Sequence, residues 1–295
     1  MFGGLAVSVQ CFWLSYATAL LIELARRRWE NGFTKWGGWI AIAAGMVAHT
    51  IYLVSRSQRT DLAPLMASPH DYLLVLAWLL VATLLVLARA LPQLSLGTYL
   101  LPPAIGVVTV ASFVDAVPDE PLRENYWWVF THSAVIVVGL LGIVLAFVAS
   151  MMYLAQHRRL KARQPMALGA RLPDLETLAR WNWWCVVVSV PLITVGFAMG
   201  ATLSIAEPQS GQVVPLLSMP IIVMLLLWLG MVGLLVSMLL RSRTGGTAVA
   251  IRTAWASGFV LSTILALTLL APEGGLHGTG ERPGPQTADA DAEAT

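Results

Sequence analysis

Long apolar runs separated by short polar segments make up most of this chain. A helix needs about 20 apolar residues to cross a bilayer, and the pattern predicts eight such helices, two of them on the short side. Their predicted bounds are about 3–24, 37–54, 72–91, 98–114, 127–161, 183–206, 214–240 and 250–271. We therefore expect an all-α polytopic membrane domain over 1–271, followed by an outer-face segment with a disordered tail over 272–295.

The distribution of Lys and Arg residues between the predicted spans indicates the topology. Alternating the eight predicted spans across the bilayer places 14 of the 18 Lys and Arg residues on one side. That side is cytoplasmic by the positive-inside rule, so both termini are expected outside. The fourteen are Arg26, Arg27, Arg28, Lys35, Arg89, Arg158, Arg159, Lys161, Arg163, Arg171, Arg180, Arg241, Arg243 and Arg252.

Composition excludes an ordinary soluble domain. Hydrophobic residues make up 57% of the chain and charged residues only 12%, so the expected partner of most of its surface is the lipid bilayer. The net charge of +2 gives no indication of nucleic-acid binding. Cys11 and Cys185 lie far apart in apolar segments, which predicts neither a disulfide framework nor a covalent heme motif.

The fifth span carries the first candidate for chemistry. No charged side chain occurs from Trp127 to Gln156, and His132 lies about one turn inside the end marked by Trp127 and Trp128. Ionisable residues inside a membrane are costly and therefore mark functional sites, which for histidine means metal or heme ligation or proton transfer. A hydrogen bond to a neighbouring helix or to headgroup water is the competing interpretation.

The five histidines differ in their predicted depth in the membrane. His49 and His132 are both predicted roughly 8 Å below the outer membrane face, at about 1.5 Å per helical residue. His277 follows the last span on that side, His70 is expected in an outer loop, and His157 at the cytoplasmic end of the fifth span. His49, His132 and His277 could therefore supply two axial imidazoles to one heme b.

Other kinds of site have less support in the sequence. No carboxylate is predicted in the outer half of the spans, which disfavours a metal-ion site, and acidic or inverted repeats typical of transporters are missing. No nucleophile with a base, phosphate loop or carboxylate pair indicates an enzyme. The outer segments 55–71 and 115–125 are expected to be loops, and the cytoplasmic segment 157–182 a connector in which 174–180 could form a short interfacial helix after Pro173.

Several short motifs follow one another from the fifth span to the end of the last helix. The fifth span opens with a W-x-x-x-H motif and ends in a Y-L…L-K pattern, an L-P-x-L-E-x-L segment follows, and a later helix carries G-F and G-A pairs. A G-L-H motif follows the last helix. The residues of these motifs are Trp128, His132, Tyr153, Leu154, Leu160, Lys161, Leu172, Pro173, Leu175, Glu176, Leu178, Gly196, Phe197, Gly200, Ala201, Gly275, Leu276 and His277. Taken together, the motifs resemble those of the cytochrome c assembly proteins of the CcsA, CcmC and HemX group.

The resemblance implies a bacterial inner-membrane protein that binds heme. Two outer-face histidines hold heme in that family, and His132 and His277 match them by position, whereas His49 is the nearest match to a ligand of a transmembrane heme. Trp127 and Trp128 are expected to anchor the membrane interface, or alternatively to pack against the porphyrin. Implied partners are membrane or outer-face proteins of cytochrome c assembly or of a respiratory complex.

Two departures from the family pattern change the expected function. Residues 202–212 lack the tryptophan-rich loop that presents heme in the synthases, and Leu240 and Arg241 stand where the family has a Leu-His pair. The chain therefore resembles the HemX-like branch, which implies heme handling or a role in cytochrome c maturation. The alternatives are a membrane anchor or electron-transfer subunit that exchanges electrons through heme b, and a heme-free subunit that keeps the fold.

Overall fold

A computed structural model describes residues 8–26, 32–60, 68–114, 116, 126–163, 171–206, 219–240 and 246–270. This part of the chain is entirely helical apart from short turns and connections. The helices are α1 (Val9–Arg26), α2 (Gly32–Thr60), α3 (Pro69–Ala90), α4 (Gly97–Ala111), α5 (Tyr126–Lys161), α6 (Leu175–Ala206), α7 (Met219–Leu240) and α8 (Thr247–Leu270).

Six of these helices are long and apolar enough to cross a membrane: α2, α3, α5, α6, α7 and α8. The all-α prediction is confirmed, and a helix overlaps each of the eight predicted spans. Two helices do not meet this criterion of length and apolar composition. Helix α1 has 18 residues that include Glu23 and Arg26, and α4 is an apolar helix of 15 residues.

Two predicted loops are wrong in extent. Helix α2 continues to Thr60 and α3 begins at Pro69, so both ends of the predicted 55–71 loop are helical, and His70 lies in the first turn of α3. The predicted short helix at 174–180 is instead the first part of α6, which continues without a break. In both places polar residues end the apolar run, but not the helix.

The starts of α3 and α6 follow ordinary capping chemistry. Ser68 caps α3 by accepting a hydrogen bond from the Asp71 amide, and Pro69 occupies the first helical turn, where its missing N–H costs nothing. Asp174 precedes α6, and its carboxylate accepts a hydrogen bond from the Thr177 amide over 3.3 Å. Both helices therefore begin where the local sequence supplies an acceptor.

Helix α5 joins two groups of helices. On one side α1, α2, α3 and α4 pack around a core that also contains Val144, Val148 and Met152 of α5. On the other side α6, α7 and α8 pack around a second core, which contains Ile143 and Ala146 of α5. Because alternate faces of α5 belong to different cores, this helix positions the two halves relative to each other.

The bundle has two distinguishable ends. At one end, called the Arg26 end here, Arg26 contacts Ser95 of the α3–α4 turn, and the Ser95 amide donates to the Arg171 carbonyl after α5. At the opposite end, called the His70 end, the start of α3 meets the end of α4, where His70 contacts the Ala111 carbonyl. Helices α3 and α4 thus run between the same two ends in opposite directions.

Candidate functional site

His132 lies in the second turn of α5, against the last turns of α6. Its Nδ1 is 2.9 Å from the carbonyl oxygen of Gly196 in α6, so the hydrogen bond to a neighbouring helix that the competing interpretation expects is present. A carbonyl can only accept, so Nδ1 carries the proton and, in a neutral ring, Nε2 carries the lone pair. Histidines that bind metals usually hold the second ring nitrogen in this way, which fixes the tautomer and raises the basicity of the ligand.

Glycines of α6 make room for this contact. A Cβ placed on Gly200 would lie 2.8 Å from Cε1 of His132, which is closer than real Cβ atoms approach. A Cβ on Gly196 would lie 2.6 Å from Cγ1 of Ile136, one turn along α5. The His132 imidazole therefore fits against α6 because position 200 has no side chain.

The tryptophans beside His132 have different surroundings. Trp128 donates from Nε1 to the Met199 carbonyl over 3.1 Å, which ties the start of α5 to α6. Trp127 is 75% exposed and makes edge-on ring contacts with Tyr126 and Phe130 of its own helix. Trp128 is thus held beside His132, whereas Trp127 is available to lipid or to a ligand.

His49 is enclosed in the other group of helices, between α1 and α2. Its side chain is fully buried, and its ring stacks on Phe12 with centroids 4.1 Å apart and planes 3° from parallel. Nδ1 lies 3.2 Å from the Tyr16 hydroxyl, and Nε2 has no hydrogen-bond partner. Each contact comes from α1, so the position of His49 depends on how α1 and α2 pack.

His70 belongs to a polar cluster at the His70 end that the sequence did not predict. The side chain is 5% exposed, Nδ1 is 2.6 Å from the Ala111 carbonyl, and Nε2 is 3.2 Å from the Tyr52 hydroxyl. Because the carbonyl fixes the proton on Nδ1, Nε2 accepts from Tyr52. Both ring nitrogens are therefore used in joining α2, α3 and α4.

An ion pair completes this cluster. The Arg56 guanidinium donates from Nε and Nη2 to the two carboxylate oxygens of Asp71, over 3.2 and 2.8 Å. Nη2 also donates to the Ala116 carbonyl, and Ser68 donates to Asp71. The prediction that no carboxylate occupies this half of the spans is wrong, since Asp71 is helical and fully buried. It failed because Asp71 was assigned to a loop.

A signal for this cluster was present in the sequence. Tyr52 and Arg56 lie four positions apart, which places both on one face of α2. The Ser-Pro-x-Asp run at 68–71 is also a helix-start pattern. The partners of these residues come from α1, α3 and α4 and could not be identified from the chain alone.

The candidate histidines do not share one described site. His49 makes its contacts with α1, and His132 with α6, in different helix groups. His157 stacks on Tyr153 toward the other end of α5. His277 lies outside the described residues. Within the described ranges, no three His, Cys, Asp or Glu side chains are grouped so that they could hold a metal ion.

Comparison with known proteins found no match: no protein-family model, no curated protein and no solved structure is similar to this chain at a significant level.

Proposed function

We propose that this chain is an integral membrane protein that binds a b-type heme through His132 and acts in heme handling or cytochrome c maturation. The observation that carries the proposal is the hydrogen bond from Nδ1 of His132 to the Gly196 carbonyl. It sets the tautomer in which Nε2 can donate its lone pair to iron. The motifs shared with the cytochrome c assembly group point to the same residue.

The described histidines fit heme to different degrees. His132 is half-buried near the end of the α5–α6 pair, with Trp128 beside it. His49 is fully buried under Phe12, so a porphyrin could reach it only if α1 and α2 moved apart. We therefore favour His132 over His49 as a ligand, and we propose His277 as its partner because the resemblance implies that pair. The bound heme would supply an iron that changes between ferrous and ferric states.

The proposed topology has eight membrane crossings, with both termini outside in a bacterial inner membrane. Helices α1 and α4 support it although each is short. Phe12 of α1 lies beside His49 and Tyr52, while Glu23 lies beside Gly97 at the start of α4. The end of α4 reaches His70. Since α1 and α4 run between the same two ends as α3, all three are expected to cross together.

Heme binding is tested on the full chain, purified in detergent from cells supplied with heme. The measurements are a dithionite-reduced minus oxidised spectrum and a pyridine hemochrome assay. We expect a b-type α band and loss of most of the heme in His132→Ala and in His277→Ala. His157→Ala is the matched control, because His157 lies in the same helix but stacks on Tyr153 toward the Arg26 end. We expect its heme content to equal that of the parent chain.

The outcomes separate the candidate functions. Unchanged heme content in a folded His132→Ala protein would refute His132 as a ligand. Loss of heme in His49→Ala alone would move the site into the α1–α4 group. Stoichiometric heme together with a co-purifying redox subunit would favour the electron-transfer alternative. A colourless parent protein would favour a heme-free subunit whose role is to dock a partner.

A further inference from the structure

Contacts between α5 and α6 form a regular series that ends at His132. Proceeding along α5, Ile136 fills the space over Gly196, Ile193 of α6 fills the space over Gly139, and Ser189 of α6 fills the space over Gly142. Each contact pairs a side chain of one helix with a glycine of the other. Close approach at these glycines sets the register between the two antiparallel helices.

His132 and Gly200 are the last pair in this series. The glycine at 200 allows the imidazole to lie flat enough against α6 for Nδ1 to reach the Gly196 carbonyl, one turn away. Trp128 also donates to the Met199 carbonyl, and this contact joins α5 to α6 without involving the ring of His132. Orientation of the imidazole therefore depends on the space at position 200.

We propose that Gly200 is a positioning residue for the His132 ligand, an inference that rests on the proposed heme function. A methyl group at 200 would lie 2.8 Å from Cε1 and push the imidazole away from α6, which breaks the hydrogen bond to the Gly196 carbonyl. Loss of such an outer-shell hydrogen bond lowers metal affinity by about 10–100-fold. It also makes the imidazole a weaker electron donor, so the ferric state loses more stabilisation than the ferrous state.

Gly139→Ala is a closely matched control for Gly200→Ala. Both add one methyl group in the α5–α6 seam, and both create a contact under 3 Å, to Ile193 in one case and to His132 in the other. Gly139 lies two turns along α5 from His132 and takes no part in the hydrogen bond to the Gly196 carbonyl. A general loss of packing should therefore affect both variants, whereas loss of imidazole positioning should affect Gly200→Ala.

The experiment titrates hemin into heme-depleted full-length protein and measures the midpoint potential of the bound heme, for the parent chain and both variants. We expect Gly200→Ala to weaken heme binding about 10–100-fold and to raise the midpoint potential. Gly139→Ala should bind heme with the parent's potential, and both variants should lose thermal stability. Equal effects of the two variants on affinity and potential would overturn the positioning role, as would parent-like values in Gly200→Ala.

A second measurement keeps this inference separate from the heme proposal. Nitrogen-15 NMR of histidine-labelled, heme-free protein reports the tautomer of His132, assigned by comparison with His132→Gln. We expect the Nδ1-protonated form in the parent chain and in Gly139→Ala, and its loss in Gly200→Ala. If the parent chain binds no heme, the proposed function fails, but this result still decides whether Gly200 orients His132. An unchanged tautomer in Gly200→Ala would refute it.

Discussion

Replacing Arg56 by methionine should be one of the most damaging single changes at the His70 end. The Asp71 carboxylate is fully buried, whereas the Arg56 side chain is 18% exposed. Without Arg56, the hydrogen-bond donor left to the carboxylate among the described residues is the Ser68 hydroxyl. Removing one partner of a buried pair costs about 3–5 kcal/mol in free energy of unfolding. We expect about 3 kcal/mol, the low end, because the space vacated by Arg56 opens toward the surface.

The opposite replacement should cost less. In Asp71→Asn the arginine keeps the Ala116 carbonyl, and its long side chain can move its charge toward water at the end of the bundle. In the double variant the uncompensated carboxylate is gone, so Asp71→Asn should partly restore the stability that Arg56→Met removes. A count of lost hydrogen bonds would predict that the double variant is the least stable. Burial of an unpaired charge predicts the rescue.

The assay is reversible unfolding by SDS in mixed micelles, applied to both single variants and the double variant. Arg180→Met is the control, because Arg180 and Glu176 form an i,i+4 pair that is mostly exposed. Such a pair contributes at most about 0.5 kcal/mol. A double variant less stable than Arg56→Met, or a cost for Arg56→Met no larger than that for Arg180→Met, would refute the reasoning.

Two further predictions concern the α5–α6 seam and the start of α6. Gly142→Ala should lower the free energy of unfolding by about 1–3 kcal/mol, because its Cβ would overlap the Ser189 hydroxyl, whereas Gly230→Ala adds a methyl group that meets nothing within 4 Å and should not destabilise. Thermal unfolding in the same detergent checks both, and equal losses would contradict the seam. Hydrogen bonds from the Thr177 hydroxyl and the Thr177 amide hold the pKa of the Asp174 carboxyl below its usual range. Asp174 therefore stabilises α6 above its unfolded pKa and loses that effect as pH falls through the lowered folded pKa. Asp174→Ala should be less stable at neutral pH and equal to the parent in strong acid, and a pH-independent difference would contradict the cap.

The helices were predictable because lipid imposes a simple rule on the chain. Backbone groups in a bilayer must be bonded within a helix, so each long apolar run becomes one. Helix ends were less predictable. Charged residues at 56 and 71 and the polar stretch 175–182 end the apolar pattern, yet they remain helical because side-chain caps and an ion pair satisfy them. A hydrophobicity pattern cannot distinguish a charge that is paired inside the fold from one in a solvated loop.

For the candidate site at His132, the sequence indicated the position but not the geometry. The sequence was enough to propose its position, because an ionisable histidine is costly one turn inside an apolar span and two tryptophans mark that end of the span. It was not enough to predict the geometry. The carbonyl that fixes the His132 tautomer and the glycine that accommodates its ring are 64 and 68 positions further along the chain, and helix packing alone brings them there.

By itself, the sequence determined the helical class, the approximate position of each helix and the identity of the candidate histidines. Those properties depend on local composition and on the requirement that backbone groups be bonded in lipid. The tertiary structure decided which polar groups are paired: His70 with Tyr52, Arg56 with Asp71, and His132 with α6. Such pairings depend on the rotation and register of one helix against another, which the packing of side chains from distant segments sets together.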